Sequence, residues 1–253
     1  MIFKTLKPFV VVGFLLISPI SFADTTLVAV ASNFTKPMTE IAAEFEKATG
    51  HTAQLSFGSS GKFVSQVENG APFEVFLAAD ENTLLKLEQV GLAVAKSRFT
   101  YALGKLVLWS STANYVDKKG DILAKGGFQY IALADPKLAP YGAAAIEVLI
   151  NKNVFSKLKP LFVLGENISQ THQFVSTGNA ELGFVAMSQV SENGKITSGS
   201  GWIVPQNLYA PIKQDAVLLT LGAENPAAKA LLDYLKSAQA KAIIQKYGYD
   251  LPN

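Results

Sequence analysis

What most restricts the fold of this chain is a repeated order: a short apolar run, a small polar loop, then a helical pattern closed by glycine or asparagine. "TLVAVA" (Thr26 to Ala31) reads as a buried strand. Ser32-Asn33 follows, and Met38, Ile41, Ala42 and Phe45 then share one helical face up to Gly50. Ser32 or Asn33 is placed to cap that helix, and Pro37 suits its first turn. The unit recurs with "TAQLSF" (Thr52 to Phe57), the loop "FGSSGK", and a helix that turns Phe63, Val64 and Val67 inward before Asn69-Gly70. It recurs again with "FEVFLAA" (Phe73 to Ala79), after which Asp80 is positioned to cap a helix carrying Leu84, Leu85, Leu87 and Val90.

Two stretches break the rhythm. "FTYALGKLVLWS" (Phe99 to Ser110) and "YAPIKQDAVLLT" (Tyr209 to Thr220) are extended runs longer than their neighbours. Between them lie further strands at Tyr130 to Ala134, Leu161 to Gly165 and Glu181 to Met187, with helices through Ala144 to Leu149 and Ile168 to Val175. Helices over Pro226 to Lys236 and Ala238 to Tyr247 end the chain. Alternating strands and helices predict an α/β protein with mostly parallel sheets flanked by helices. Two such sheets joined by two crossing segments predict two lobes around a cleft. The expected division is residues 24–103 with 213–253 in lobe I and 104–212 in lobe II.

The N-terminus carries Lys4 and Lys7, an apolar run "FVVVGFLLI" (Phe9 to Ile17) too short to span a bilayer comfortably, and small residues at Ser21-Phe22-Ala23. This predicts a signal peptide over residues 1–23, cleaved after Ala23, and an exported, periplasmic protein. With no cysteine in the sequence, neither a disulfide nor a lipidated N-terminal Cys is available. Lys and Arg number 22 against 20 Asp and Glu; without Lys4 and Lys7 the balance is even, and Arg98 is the single arginine. An even balance with one arginine is a poor basis for nucleic-acid binding. Two histidines and no cysteine argue against a transition-metal site.

Chemistry is therefore sought in the loops. Ser32-Asn33, Gly58 to Gly61, Ala139 to Gly142 and Glu166 to Ser169 are strand-to-helix junctions, where open α/β sheets collect ligands. Each following helix offers unpaired N–H groups and a partial positive end to an anion. "FGSSGK" has phosphate-loop ingredients, but only Ser59 and Ser60 separate its glycines, where a nucleotide loop needs four residues. Its glycines permit close backbone approach to a ligand. Serine or asparagine at such a junction also serves as an ordinary cap, so no single junction decides. Ser60 as a nucleophile needs a positioned base, and neither His51 nor His172 lies in a motif that supplies one. Lys62 is expected to point to solvent. Asn33-Phe34-Thr35 and Asn167-Ile168-Ser169 match a glycosylation pattern, read as coincidence in a bacterial export context.

Four stretches taken together, "VAVASNFTKPMTEIAAEFEKATG", "SFGSSGKFVSQVENGAPFEVFLAAD", "ALADPKLAPYGAAAIEVL" and "NISQTHQFVSTGNAELGFVAMSQV", resemble the periplasmic molybdate-binding proteins of ABC transporters, the ModA type. The resemblance runs in order to "LLDYLKSAQAKAIIQKYGYD" near the C-terminus. It implies a two-lobed periplasmic binding protein of type II that closes on a tetrahedral dianion. No enzymatic activity, cofactor or direct metal ligation is implied. Molybdenum enters only as molybdate, and an inner-membrane ABC permease is the implied partner of a monomer. Position by position, it implies ligand contacts from Ser32 and Ser60, from the backbone N–H of Tyr141 and Ile168, and, as in one branch of the family, from Asn33. One departure stands out: Ala186 occupies a position where some members carry a ligand-binding tyrosine.

Neutral donors suit such a ligand. Molybdate, tungstate and sulfate carry no proton near neutral pH, whereas hydrogen phosphate carries one and needs an acceptor. Asp80, Asp135 and Glu166 lie near the loops, which leaves exclusion of phosphate to the structure. A sulfate or thiosulfate receptor is the nearest alternative, and a secreted serine hydrolase using Ser60 is the alternative from another class.

Overall fold

The computed structural model describes residues 23–252, so the signal peptide expected over residues 1–23 lies, Ala23 apart, outside the described residues. Strand β1 (Thr25–Ala31) turns Val28 and Val30 to one side of its sheet and Ala29 to the other, the two-residue period of a pleated strand. Val28 and Val30 pack against Met38, Ile41 and Phe45 of α1 (Thr35–Thr49), the face marked by the helical spacing. Ala29 packs in a second cluster with Phe63 and Val67 of α2 (Ser60–Glu68) and with Leu84 and Leu87 of α3 (Glu81–Gln89).

Two five-stranded sheets organise the molecule. The first runs β2 (Thr52–Gly58), β1, β3 (Val75–Ala78), β12 (Ile212–Leu218), β4 (Phe99–Gly104); the second runs β11 (Ser200–Ile203), β5 (Leu106–Ser110), β8 (Leu182–Ala186), β6 (Ile131–Ala134), β7 (Phe162–Gly165). The remaining helices are α4 (Ile122–Lys125), α5 (Pro140–Asn151), α6 (Phe155–Leu158), α7 (Ile168–Ser176), α8 (Met187–Val190), α9 (Pro226–Tyr234) and α10 (Ala238–Lys246). A small hairpin joins β9 (Ser191–Glu192) to β10 (Lys195–Ile196).

The sheets are mixed rather than mostly parallel. β1 pairs in parallel with β2 and β3, and β6 with β7 and β8; β12 is antiparallel to β3 and β4, and β5 to β8 and β11. The parallel pairs are those linked through crossover helices, as parallel strands require. The antiparallel ones involve the strands that arrive from the other sheet, whose direction no helix reverses.

The long run at Phe99 to Ser110 proves to be two strands of different sheets joined through Lys105. The chain returns through residues 204–211, so only the later part of the second long run is strand. At the crossing, a side chain on Gly104 would place its Cβ 2.2 Å from the buried Tyr141 hydroxyl. β12 enters with a register shift at Gln214 and Asp215, both fully buried. Asp215 accepts from Arg98 Nη1 (2.5 Å) and Thr100 Oγ1 (2.6 Å).

Neither Ser32 nor Asn33 caps α1. Residues Ser32–Phe34 form a short 3-10 turn, and α1 follows Phe34 without a side-chain cap. Asp80 does cap α3, accepting from Thr83 N at 2.7 Å. α4, α6, the β9–β10 hairpin and edge strand β11 had no clear signal. Each is a few residues long, too short for a periodicity to develop.

Candidate functional site

Ser32, Asn33, Ser60, Tyr141 and Ile168, drawn from four separate junctions, line one small cavity between the two sheets, which encloses about 190 Å³ of void including its mouth. The space inside that is open to water is only about 10 Å³, room for about one water molecule, so a larger guest needs the two sides to part around it. All five residues are at most 5 % exposed. Ser59 and Asn167 also line the cavity and were not among the residues expected to touch a ligand.

Local structure explains which donors each junction presents. α7 is capped by Asn167, whose Oδ1 accepts from Ser169 N and Gln170 N at 3.0 Å, while Thr171 N bonds the Asn167 carbonyl. Ile168 N–H is the first-turn donor that this cap leaves over. α5 opens on Pro140, which has no N–H, so Tyr141 carries the first available donor there. Ser60 opens α2; its Oγ accepts from Ala79 N at 3.0 Å, which leaves the hydroxyl proton free to donate. Ser32 opens its 3-10 turn, and its hydroxyl donates to Asn167 Oδ1 across the cleft at 3.3 Å, which commits its proton.

Asn33 is placed differently from what a side-chain ligand requires. Its Nδ2 donates to Gln214 Oε1 (2.6 Å) and Tyr249 Oη (2.8 Å), which uses both amide hydrogens. Its carbonyl accepts from Ser188 Oγ (2.7 Å) and Tyr249 Oη (2.9 Å). What Asn33 retains for a ligand is its backbone N–H at the start of the turn.

The cleft is bridged. Gly61 N–H donates to Leu138 O at 3.0 Å, and a Cβ on Gly61 would lie 3.2 Å from Leu138 Cα. Gly61 thus serves the close approach of the two sides to each other, not the approach of backbone to ligand expected from the motif. Ser169 Oγ donates to Ser32 O at 3.2 Å. Lys62, expected to point to solvent, instead reaches across to Glu166 at 2.8 Å, although both side chains remain about half exposed.

No Lys, Arg, His, Asp or Glu is among the residues lining the cavity. The nearby carboxylates are engaged elsewhere: Asp80 with Thr83, Asp135 with Lys137 N, Glu166 with Lys62. Burial holds the Tyr141 hydroxyl well above its ordinary pKa, and burial pushes Tyr249 up to about 12, so both stay protonated and neutral. The histidines are occupied away from Ser60. His51 Nδ1 accepts from Asp24 N (3.1 Å), and His172 stacks on Trp109 with 5.1 Å between ring centroids. A small cavity between two sheets, lined from both sides and without a charged side chain, is the arrangement of a two-sheet binding protein for a small solute.

Comparison with known proteins agrees with that class. Residues 26–250 match the family described as bacterial extracellular solute-binding protein. The molybdate-binding protein ModA of Azotobacter vinelandii is 59 % identical over 224 residues, covering 88 % of this chain and 89 % of its own. ModA of Rhodobacter capsulatus is 56 % identical over 227 residues, covering 90 % and 88 %. Among solved structures, an Azotobacter vinelandii periplasmic molybdate-binding protein superposes with a TM-score of 0.87 at 42 % identity, covering 90 % of this chain and all of that one. This chain belongs to the ModA-type family of bacterial extracellular solute-binding proteins.

Proposed function

We propose that the protein is the periplasmic molybdate receptor of an ABC transporter. It captures molybdate, and tungstate as well, between lobes formed by residues 24–103 with 213–253 and by residues 104–212. In this reading residues 1–23 direct export and are removed. The receptor acts as a monomer and delivers its anion to an inner-membrane permease. The observation that carries the reading is the convergence of Ser32, Asn33, Ser60, Tyr141 and Ile168 on one carboxylate-free cavity, in a chain of this family.

The physical case rests on desolvation and proton count. A bare dianion is costly to bury, and each charge-assisted hydrogen bond returns about 1.5–3 kcal/mol. The hydroxyl of Ser60 and the N–H groups of Asn33, Tyr141 and Ile168 supply such bonds from four N-terminal turns, and the Ser32 hydroxyl joins them by leaving Asn167 Oδ1 for the anion. Hydrogen phosphate brings a proton that finds no carboxylate acceptor among the lining residues. Sulfate, being smaller, leaves some of these bonds long.

Calorimetry of the purified protein with molybdate, tungstate, sulfate and phosphate is the test. Strong heats for both metal oxyanions and none for phosphate are expected; silence with both beside a clear sulfate signal overturns the reading. Ser60→Ala is expected to weaken molybdate binding by about 1–3 kcal/mol, the loss of one donor to a charged group. Unchanged affinity assigns Ser60 to holding Ala79 N–H alone.

A further inference from the structure

We propose that Ser59 is a further binding residue of this site, its hydroxyl donating a hydrogen bond to the captured anion. The inference rests on the receptor reading above and adds a donor to the five residues named there.

Ser59 occupies the N-cap position of α2 with extended backbone (φ −80°, ψ 146°), where a serine hydroxyl ordinarily accepts from the helix's first turn. It makes no such bond. The contrast within the molecule is direct: Ser237, Asn167 and Asp80 occupy the same position on α10, α7 and α3, and each caps its helix. Ser59 is 2 % exposed, and its Oγ has no hydrogen-bond partner among the described residues. A hydroxyl buried without a partner destabilises a fold, so its persistence calls for a guest that accepts its proton.

The surroundings say which guest. Ser59 lines the anion cavity beside Ser60. Its own carbonyl accepts from Phe63 N (3.1 Å), while Gly61 N–H is committed to Leu138 O. The hydroxyl is left as the uncommitted side-chain group of Ser59, in the lining it shares with Ser60 and Ile168. A serine hydroxyl both donates and accepts, and a fully ionised oxyanion can only accept, so the bond has one direction: Ser59 gives its proton.

The test is molybdate titration of wild type, Ser59→Ala and Ser59→Cys, together with the melting temperature of each protein without ligand. Cysteine nearly preserves the volume but is a weak donor. Both variants are expected to bind molybdate roughly ten- to a hundredfold more weakly, the loss of one bond to a charged group. The ligand-free melting temperature is expected to stay level or rise for Ser59→Ala, because an unpaired buried hydroxyl has been removed. If wild type binds and both variants match it, Ser59 is no ligand and this inference alone fails. A lowered ligand-free melting temperature with unchanged affinity also overturns it, by showing that the hydroxyl is a cap. If wild type does not bind molybdate, the receptor reading itself fails.

Discussion

The Lys62–Glu166 contact makes a sharp prediction because it joins the two sides of the cleft without lining the anion cavity. Nζ and Oε1 lie 2.8 Å apart, but the side chains are 51 % and 44 % exposed. A pair so accessible to water contributes about 0.2–1 kcal/mol. It exists only while the sides are together, so separation loses it entirely. In rate terms that is about 1.4- to 5-fold, and it falls on dissociation rather than association. Lys62→Met, Glu166→Gln and the double variant are therefore expected to release molybdate faster by that factor, each single variant as fast as the double. Stopped-flow fluorescence from Trp109 and Trp202, with a chase of unlabelled acceptor protein, reads the rate. Repeating it at about 1 M salt, where the screening length falls to about 3 Å, should bring wild type close to the variants. Single variants that release at the wild-type rate, or a double variant whose effect is the sum of the two, would refute a cross-cleft pair.

Three other expectations follow from the same structure. Gly104→Ala sets a Cβ 2.2 Å from the hydroxyl of Tyr141, which at 1 % exposure has no free space to withdraw into; a loss of about 1–3 kcal/mol in stability with weaker molybdate binding is expected. Unchanged melting and affinity would show that the crossing segment yields freely. Asp215→Ala removes the acceptor of both Arg98 and Thr100, and urea denaturation should show a loss of about 3 kcal/mol, the lower end for breaking a buried pair because Arg98 keeps Glu88 and some solvent. A change under about 1 kcal/mol would mean the pair is worth no more than a surface one. His172 titrates below its ordinary value because burial disfavours its charged form. The unfolded chain then takes up a proton first, so stability is complete above about pH 6.5 and declines as pH falls below it. His172→Gln should flatten that decline in thermal melts between pH 7.5 and 5, and an equally steep decline in the variant would place its origin elsewhere.

The strand–loop–helix rhythm was legible in the sequence because it depends on local periodicity. β1 with Val28 and Val30, α1 with Met38, Ile41 and Phe45, and Asp80 as a cap all follow from neighbours within a turn or a pleat. The candidate site was legible for a related reason. Helix starts are local features, and Ser60, Tyr141 and Ile168 are helix starts. Family resemblance, not spacing, joined them into one set.

What the sequence could not decide is everything that depends on partners far along the chain. The direction of β12 and β5 depends on which sheet receives them, so the sheets came out mixed. Asn33 looked like a cap or a ligand until Gln214 and Tyr249, about 180 and 216 residues away, took its amide. Lys62 looked solvent-bound until Glu166 came within reach, and Gly61 looked like a ligand loop until Leu138 closed over it. A sequence states what each side chain can donate, accept or bury. Only the tertiary structure states which of those capacities are already spent, and in this cleft that accounting separates Ser59 and Ser60 from the lysine beside them.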